Sequence, residues 1–172
     1  MELKRMVDEK NRGSEWFKKP IEGVIIKKLV KHPDRRGFLC ETFRLDELPA
    51  DLKPVMSYVS YTEPGVARGP HEHREQTDIF AFIGPGNFLL KLWDNRRNSL
   101  TRGSWMEIVA GRDNPLTVII PPGVVHGYRN ISAAGRGMVL NFADRLYMGW
   151  GRQEAVDEIR HEDDPDSPFS LD

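Results

Sequence analysis

The segment GVARGPHEHREQTD, Gly65–Asp78, carries two histidines, His71 and His73, on alternate positions behind a glycine-rich turn, and ends on an acid, Asp78. A second segment, PPGVVHGYRN, Pro121–Asn130, delivers His126 behind a Pro121-x-Gly123 turn. In an extended strand alternate residues share a face, so His71 and His73 point to one place. Asp78 reaches the same place if the chain turns or bulges in between, and the second turn fixes the entry of His126 from another strand. Three imidazoles and a carboxylate, with room for water, suit a first-row divalent metal such as iron, manganese, nickel or zinc. The same residues also suit a metal-free polar cavity whose histidines are hydrogen-bonded at strand ends.

Outward from these segments the chain reads as all-β. Short runs rich in Val, Ile, Phe and Tyr recur at Gly23–Leu29, Phe38–Phe43, Met56–Tyr61, Ile79–Ile83, Phe88–Trp93, Trp105–Val109, Leu116–Ile120 and Met138–Phe142. Turn signals such as Pro33-Asp34, Pro64-Gly65, Pro85-Gly86 and Asp113-Asn114-Pro115 separate them. Many short strands at this spacing predict a barrel or jelly roll and not alternating β and α units. One helical turn is expected at Arg44–Leu48 and a short helix at Gln153–Arg160. Residues 1–20 are charged and read as an arm that docks Trp16 and Phe17, on a partner subunit in one reading. Residues 21–150 form the barrel, and 151–172 an acidic, solvated and partly frayed tail. His161 in that tail is expected to be solvated, and His32 to lie in a loop.

The 172 residues suffice for one domain with a real core. A net charge of −1 gives no reason to expect nucleic-acid or membrane attraction. No apolar run is long enough to cross a bilayer and no signal-peptide pattern follows Met1. Cys40 is the one cysteine, which excludes an intrachain disulfide and fits a reducing cytoplasm.

The spacing Gly65…His71-x-His73…Asp78, with Pro121-x-Gly123-x-x-His126-x-x-x-Asn130, resembles the paired motifs of the cupins, with Asp78 in place of the glutamate that metal-binding cupins carry. A closer resemblance runs from Ile21 to about Tyr147, to the dTDP-sugar epimerase and isomerase family typified by dTDP-4-dehydrorhamnose 3,5-epimerase. It rests on Ile21-Glu22-Gly23-Val24, on Asp34-Arg35-Arg36-Gly37-Phe38 with Glu41, and on Ser60 followed by Gly65-Val66-Ala67-Arg68-Gly69-Pro70-His71 and Gln76. It continues through Asp94-x-Arg96-x-x-Ser99-x-Thr101-x-Gly103-x-Trp105 and Ile120-Pro121-Pro122-Gly123-x-x-His126-Gly127-Tyr128. The fold this implies is a cupin, a double-stranded β-helix or jelly-roll barrel, with short peripheral helices.

The resemblance also implies a chemistry. A 4-keto sugar has acidified hydrogens beside its carbonyl; removing one gives an enolate, and returning the proton elsewhere inverts a carbon or shifts the ketone. His71 would be the base and Arg68 and His126 nearby donors. Arg36 and Glu41, from a neighbouring subunit of a homodimer in one reading, would hold the nucleotide end with Tyr147, alongside Ser60, Gln76 and Asn141. No cofactor is required. Three departures stand out. This chain has His73 where the family has glutamine, Asp78 where it has lysine, and about Asn141 where it has its catalytic tyrosine. The C-terminal aspartate that partners the base has no counterpart in the alignment. Losing a lysine while gaining two metal ligands suggests that a divalent ion supplies the missing positive charge through His71, His73, Asp78 and His126. Losing the tyrosine favours single epimerisation or ketoisomerisation over double epimerisation. Two other classes remain open: a metal-dependent cupin of another kind, such as a dioxygenase or small-molecule isomerase, and a non-catalytic sugar- or nucleotide-binding cupin.

Overall fold

The computed structural model describes residues 16–172. In chain order its strands are β1 (Phe17–Lys18), β2 (Ile25–Lys28), β3 (Lys31–Asp34), β4 (Gly37–Cys40), β5 (Met56–Thr62), β6 (Ala67–Glu72), β7 (Asp78–Phe82), β8 (Asn87–Asp94), β9 (Ser104–Gly111), β10 (Leu116–Ile120), β11 (Val124–Asn130), β12 (Gly137–Ala143) and β13 (Ile159–Arg160). Two 3-10 turns, Leu45–Glu47 and Trp150–Arg152, are peripheral. One sheet has the order β1-β9-β8-β11-β6-β13 and the other β2-β10-β7-β12-β5, with β3 and β4 forming a separate hairpin. The all-β jelly roll expected from strand spacing is the architecture found.

Alternation along β8 explains why the sheets face each other. Phe88, Leu90 and Leu92 point inward and are fully buried, while Leu89 and Lys91 between them are only partly covered. They meet Phe80 and Phe82 of β7, Val118 and Ile120 of β10, and Tyr128 of β11 in one core cluster. Strands β7 and β10 are buried at every position because their outer face is also covered: Leu52 packs on Ile79 and Ile119, with Leu48 and Phe142 beside them. Part of the outer face of the larger sheet is covered in the same way. Trp93 and Val125 pack with Phe169 and Leu171 from the C-terminal segment and with Trp16. Burying side chains of this size contributes roughly 1.5–3 kcal/mol each.

That packing corrects the expected frayed tail. Phe169 and Leu171 are buried, Ile159–Arg160 pairs with β6, and His161 Nε2 donates to the Glu72 carboxylate at 2.9 Å instead of facing solvent. The helix expected over Gln153–Arg160 does not form, because these residues extend along the barrel and end in β13. Of the expected arm, residues 1–15 lie outside the described residues. Trp16 docks on the chain's own Phe169, with ring centroids 5.3 Å apart, and β1 runs parallel to β9. His32 lies in β3, not in a loop.

The loop after β8 accounts for the Asp94-x-Arg96-x-x-Ser99-x-Thr101 pattern in structural terms. The Asp94 carboxylate accepts hydrogen bonds from Arg96 at 2.8 Å, Ser99 at 2.5 Å and Thr101 at 2.6 Å, and is itself fully buried. Burial would raise this carboxyl, but those donors outweigh it and bring it down to about 2. The Asp-x-Arg…Ser-x-Thr sequence is therefore a knot that closes the β8–β9 connection.

Candidate active site

Strand pairing assembles the site. His71 of β6 lies directly opposite His126 of β11, and the register between these strands shifts just beyond that pair. Gly69 permits the approach: its φ is +79°, and a Cβ there would stand 2.7 Å from the His126 carbonyl oxygen. His73 falls one residue past the end of β6, where the chain turns before β7 begins at Asp78. The Asp157 carboxylate holds that turn by accepting the backbone N–H groups of Arg74, Glu75 and Gln76 at 2.9–3.0 Å. The turn needed to bring Asp78 to the histidines is thus fixed by the C-terminal segment.

Around Asp78 the geometry is tight. Its Oδ2 is 3.1 Å from His126 Nε2 and 3.2 Å from His73 Nε2. Its Oδ1 accepts the Gln76 and Asn141 side-chain amides, each at 2.8 Å. Asn141 also donates to the Tyr58 hydroxyl at 2.8 Å and accepts the Ile79 N–H at 3.1 Å. Burial alone would raise the Asp78 carboxyl, yet the adjacent imidazoles of His126 and His73 hold it well below the usual carboxylate range. Burial alone would lower His73, but its contact with Asp78 outweighs this and raises it to about 9. His71 goes the other way: burial, reinforced by the neighbouring His126, pushes it down to about 2, so the ring is neutral. Burial and the nearby Asp78 charge push the Tyr58 hydroxyl up, which keeps it protonated as a donor.

His71 and His73 open onto a cleft of about 560 Å³ whose walls include Tyr58, Arg74, Arg145, Tyr147, Glu158 and Arg160. His126, Asp78 and Asn141 lie beneath its floor and are inaccessible. Of the residues expected in the site, His71, His73, Gln76, Asp78, His126 and Asn141 are together, and Tyr147 is at the cleft wall. Ser60 sits deeper, hydrogen-bonded to the Tyr128 hydroxyl at 2.8 Å. Arg68 is not brought to the cleft: its guanidinium donates to Thr62 Oγ1 at 3.0 Å and to the Tyr61 carbonyl at 2.8 Å. Arg36 and Glu41 are not there either. Arg36 pairs with Asp34 on the exposed β3–β4 hairpin, and Glu41 borders a separate shallow depression with Phe43 and Arg44.

Two site residues escaped the sequence reading. Glu158 places its Oε1 3.8 Å from His71 Nδ1, so the histidine does have a carboxylate partner from the C-terminal segment, contrary to the expectation that none exists. Tyr58 presents the one phenol beside Asn141 among the described contacts. The signal for Tyr58 lay in its parity, shared with Met56 and Ser60 on a strand leading to the site. Glu158 was masked by the acidic run around it.

The sequence matches the family model described as dTDP-4-dehydrorhamnose 3,5-epimerase over residues 18–148. It is 40% identical over 111 residues to the spore coat polysaccharide biosynthesis protein SpsL of Bacillus subtilis (strain 168), covering 63% of this chain and 71% of that protein. It is 34% identical over 128 residues to the probable low-salt glycan biosynthesis epimerase Agl13 of Haloferax volcanii, covering 74% of this chain and 81% of the other. Among solved structures it resembles a dTDP sugar isomerase from Desulfovibrio desulfuricans G20, with a TM-score of 0.74 at 28% identity over 88% of this chain and 92% of that one.

Proposed function

Because the chain belongs to the dTDP-4-dehydrorhamnose 3,5-epimerase family, we propose that it acts on a nucleotide-linked 4-keto-6-deoxyhexose, moving a proton beside the ketone during polysaccharide or glycan biosynthesis. The observation that carries this reading is His71: neutral, open to the cleft, and backed by Glu158 at 3.8 Å. A neutral imidazole accepts the acidified proton, and the carboxylate behind it stabilises the imidazolium that results. Tyr58, held protonated, is the hydroxyl donor on the same cleft, and it stands beside Asn141 at the position where the family carries a tyrosine. The reaction moves protons and is redox-neutral, so it needs no cofactor. Gln76 and Asn141 fix Asp78, and Gln76 also lines the cleft. Arg74, Arg145 and Tyr147 at the cleft wall suit a nucleotide diphosphate, since a guanidinium fork binds two phosphate oxygens at once.

Single epimerisation or ketoisomerisation is favoured over double epimerisation, because Asn141 stands at about the position where the family carries its catalytic tyrosine. Arg36 and Glu41 reach a substrate only in a neighbouring subunit, which makes a homodimer the working assembly. The lone thiol Cys40 fits a cytoplasmic protein. The His71, His73, Asp78 and His126 cluster supports a second reading, in which the floor of the cleft holds a divalent ion.

The reading is checked by incubating the protein with dTDP-4-keto-6-deoxyglucose and following sugar isomers by NMR. The wild type is expected to form a new epimer or ketoisomer, and Glu158→Gln to slow it about tenfold, the loss of roughly 1.4 kcal/mol of imidazolium stabilisation. No turnover by the wild type of this or the corresponding galactose-configured substrate would overturn it.

A further inference from the structure

One donor atom from each of His71, His73, Asp78 and His126 lies within 4.8 Å of the others. The hydrogen bonds behind them decide which atoms face inward. The Val124 carbonyl engages His126 Nδ1 at 2.9 Å, and the Asp157 carbonyl engages His73 Nδ1. A carbonyl can only accept, so both rings carry hydrogen on Nδ1 and turn Nε2 toward Asp78 Oδ2. These atoms approach to 3.1 and 3.2 Å, yet Asp78 Oδ2 and His126 Nε2 are buried and have no hydrogen-bond partner. The Gln76 amide lies 3.3 Å from His73 Nε2 and holds Asp78 Oδ1 with Asn141, which fixes the carboxylate's rotation. A desolvated carboxylate oxygen facing two imidazole nitrogens needs positive charge beside it. A cation shared by the four donors supplies that charge and also engages His126 Nε2, which otherwise has no partner.

We propose that His73, Asp78 and His126, with His71 as fourth donor, form a binding site for one divalent transition-metal ion at the floor of the cleft. Val124, Asp157, Gln76 and Asn141 orient the ligands through their far atoms, as partners of metal-bound histidines and carboxylates do. Three imidazole nitrogens and one carboxylate oxygen select zinc, iron, nickel or manganese over calcium and magnesium, which require more oxygens. His71 differs from the other two histidines: its Nδ1 faces Glu158 and not a backbone carbonyl, so it is the donor free to leave the ion and act as base. An ion here places positive charge beside the ketone-binding cleft, where the family resemblance leaves Asp78 in place of a lysine. Only this last link rests on the proposed isomerase reading; the site itself does not.

The test is metal binding without substrate. Protein stripped with a chelator is titrated with Zn²⁺ by calorimetry, alongside His73→Gln, Asp78→Asn and, as a control outside the cluster, His161→Gln. One ion per chain is expected for the wild type and His161→Gln, with affinity at least tenfold weaker in His73→Gln and Asp78→Asn. Loading the wild type with Co²⁺ gives a second measurement independent of any variant: visible absorption bands of nitrogen- and oxygen-ligated cobalt are expected. Absence of stoichiometric Zn²⁺ uptake and of cobalt bands, or equal affinity in all four proteins, would overturn the proposal. If the stripped protein still isomerises a dTDP-sugar while binding no metal, this inference fails and the isomerase reading stands; metal binding without turnover gives the reverse.

Discussion

His71 draws its chemistry from residues far away in sequence. Gly69 lets it approach His126, burial keeps it neutral, and Glu158 supplies the carboxylate behind it. The histidines and Asp78 were legible because two short motifs fix their spacing, and backbone pairing turns that spacing into proximity. Glu158 and Tyr58 were not, since their role depends on a chain reversal and a cross-strand register that no local pattern encodes. Asp94 shows the opposite case, a residue in a family pattern whose structural role emerges only from its contacts. Its folded carboxyl sits at about 2, below the usual value of about 4 for an unfolded chain. A depressed acid contributes its stability above the unfolded value and loses it as pH falls through the folded one. The wild type is therefore expected to lose about 1–2 kcal/mol between about pH 4 and pH 2 from this group. Thermal melts of wild type and Asp94→Asn across that range check it: the gap between the two proteins should narrow on acidification, and a constant gap would contradict the assignment.

At the scale of elements, strand spacing predicted the sheets well because alternation in β8 and continuous burial in β7 and β10 are direct consequences of covering one face or both. The charge of the C-terminal segment predicts a solvated tail, whereas a few residues in it carry the packing: Phe169 and Leu171 cover part of the larger sheet, Asp157 holds the turn after β6, and Glu158 reaches the cleft. The β3–β4 hairpin is the converse. The run Phe38–Phe43 predicts only its second strand; the hairpin forms, and it leaves Phe38 and Leu39 about half to two-thirds exposed, at 49% and 65%. Apolar residues on a projecting hairpin that also carries Arg36 fit a surface received by a second copy of the chain. Sedimentation equilibrium is expected to give a dimer for the wild type and a predominantly monomeric Phe38→Asp/Leu39→Asp double variant. A monomeric wild type would remove the role assigned to Arg36 and Glu41.

At the scale of the molecule, two sheets pack face to face, each covered on part of its outer face, and one end opens as a cleft walled by the C-terminal segment. The family resemblance located the reaction, while the residues that depart from the family, His73 and Asp78, define what is particular to this chain. The arrangement gives His71 two possible occupations, proton acceptor and metal ligand, and the first is the central claim. It is tested most directly by solvent deuterium incorporation: metal-stripped wild type and His71→Asn are incubated in heavy water with dTDP-4-keto-6-deoxyglucose, and the sugar carbons flanking the ketone are followed by NMR. Deuterium is expected to enter one of those carbons with the wild type and at least about 10²-fold more slowly with His71→Asn. Exchange at the wild-type rate in His71→Asn, or isomer formation without any solvent deuterium in the product, would contradict the account.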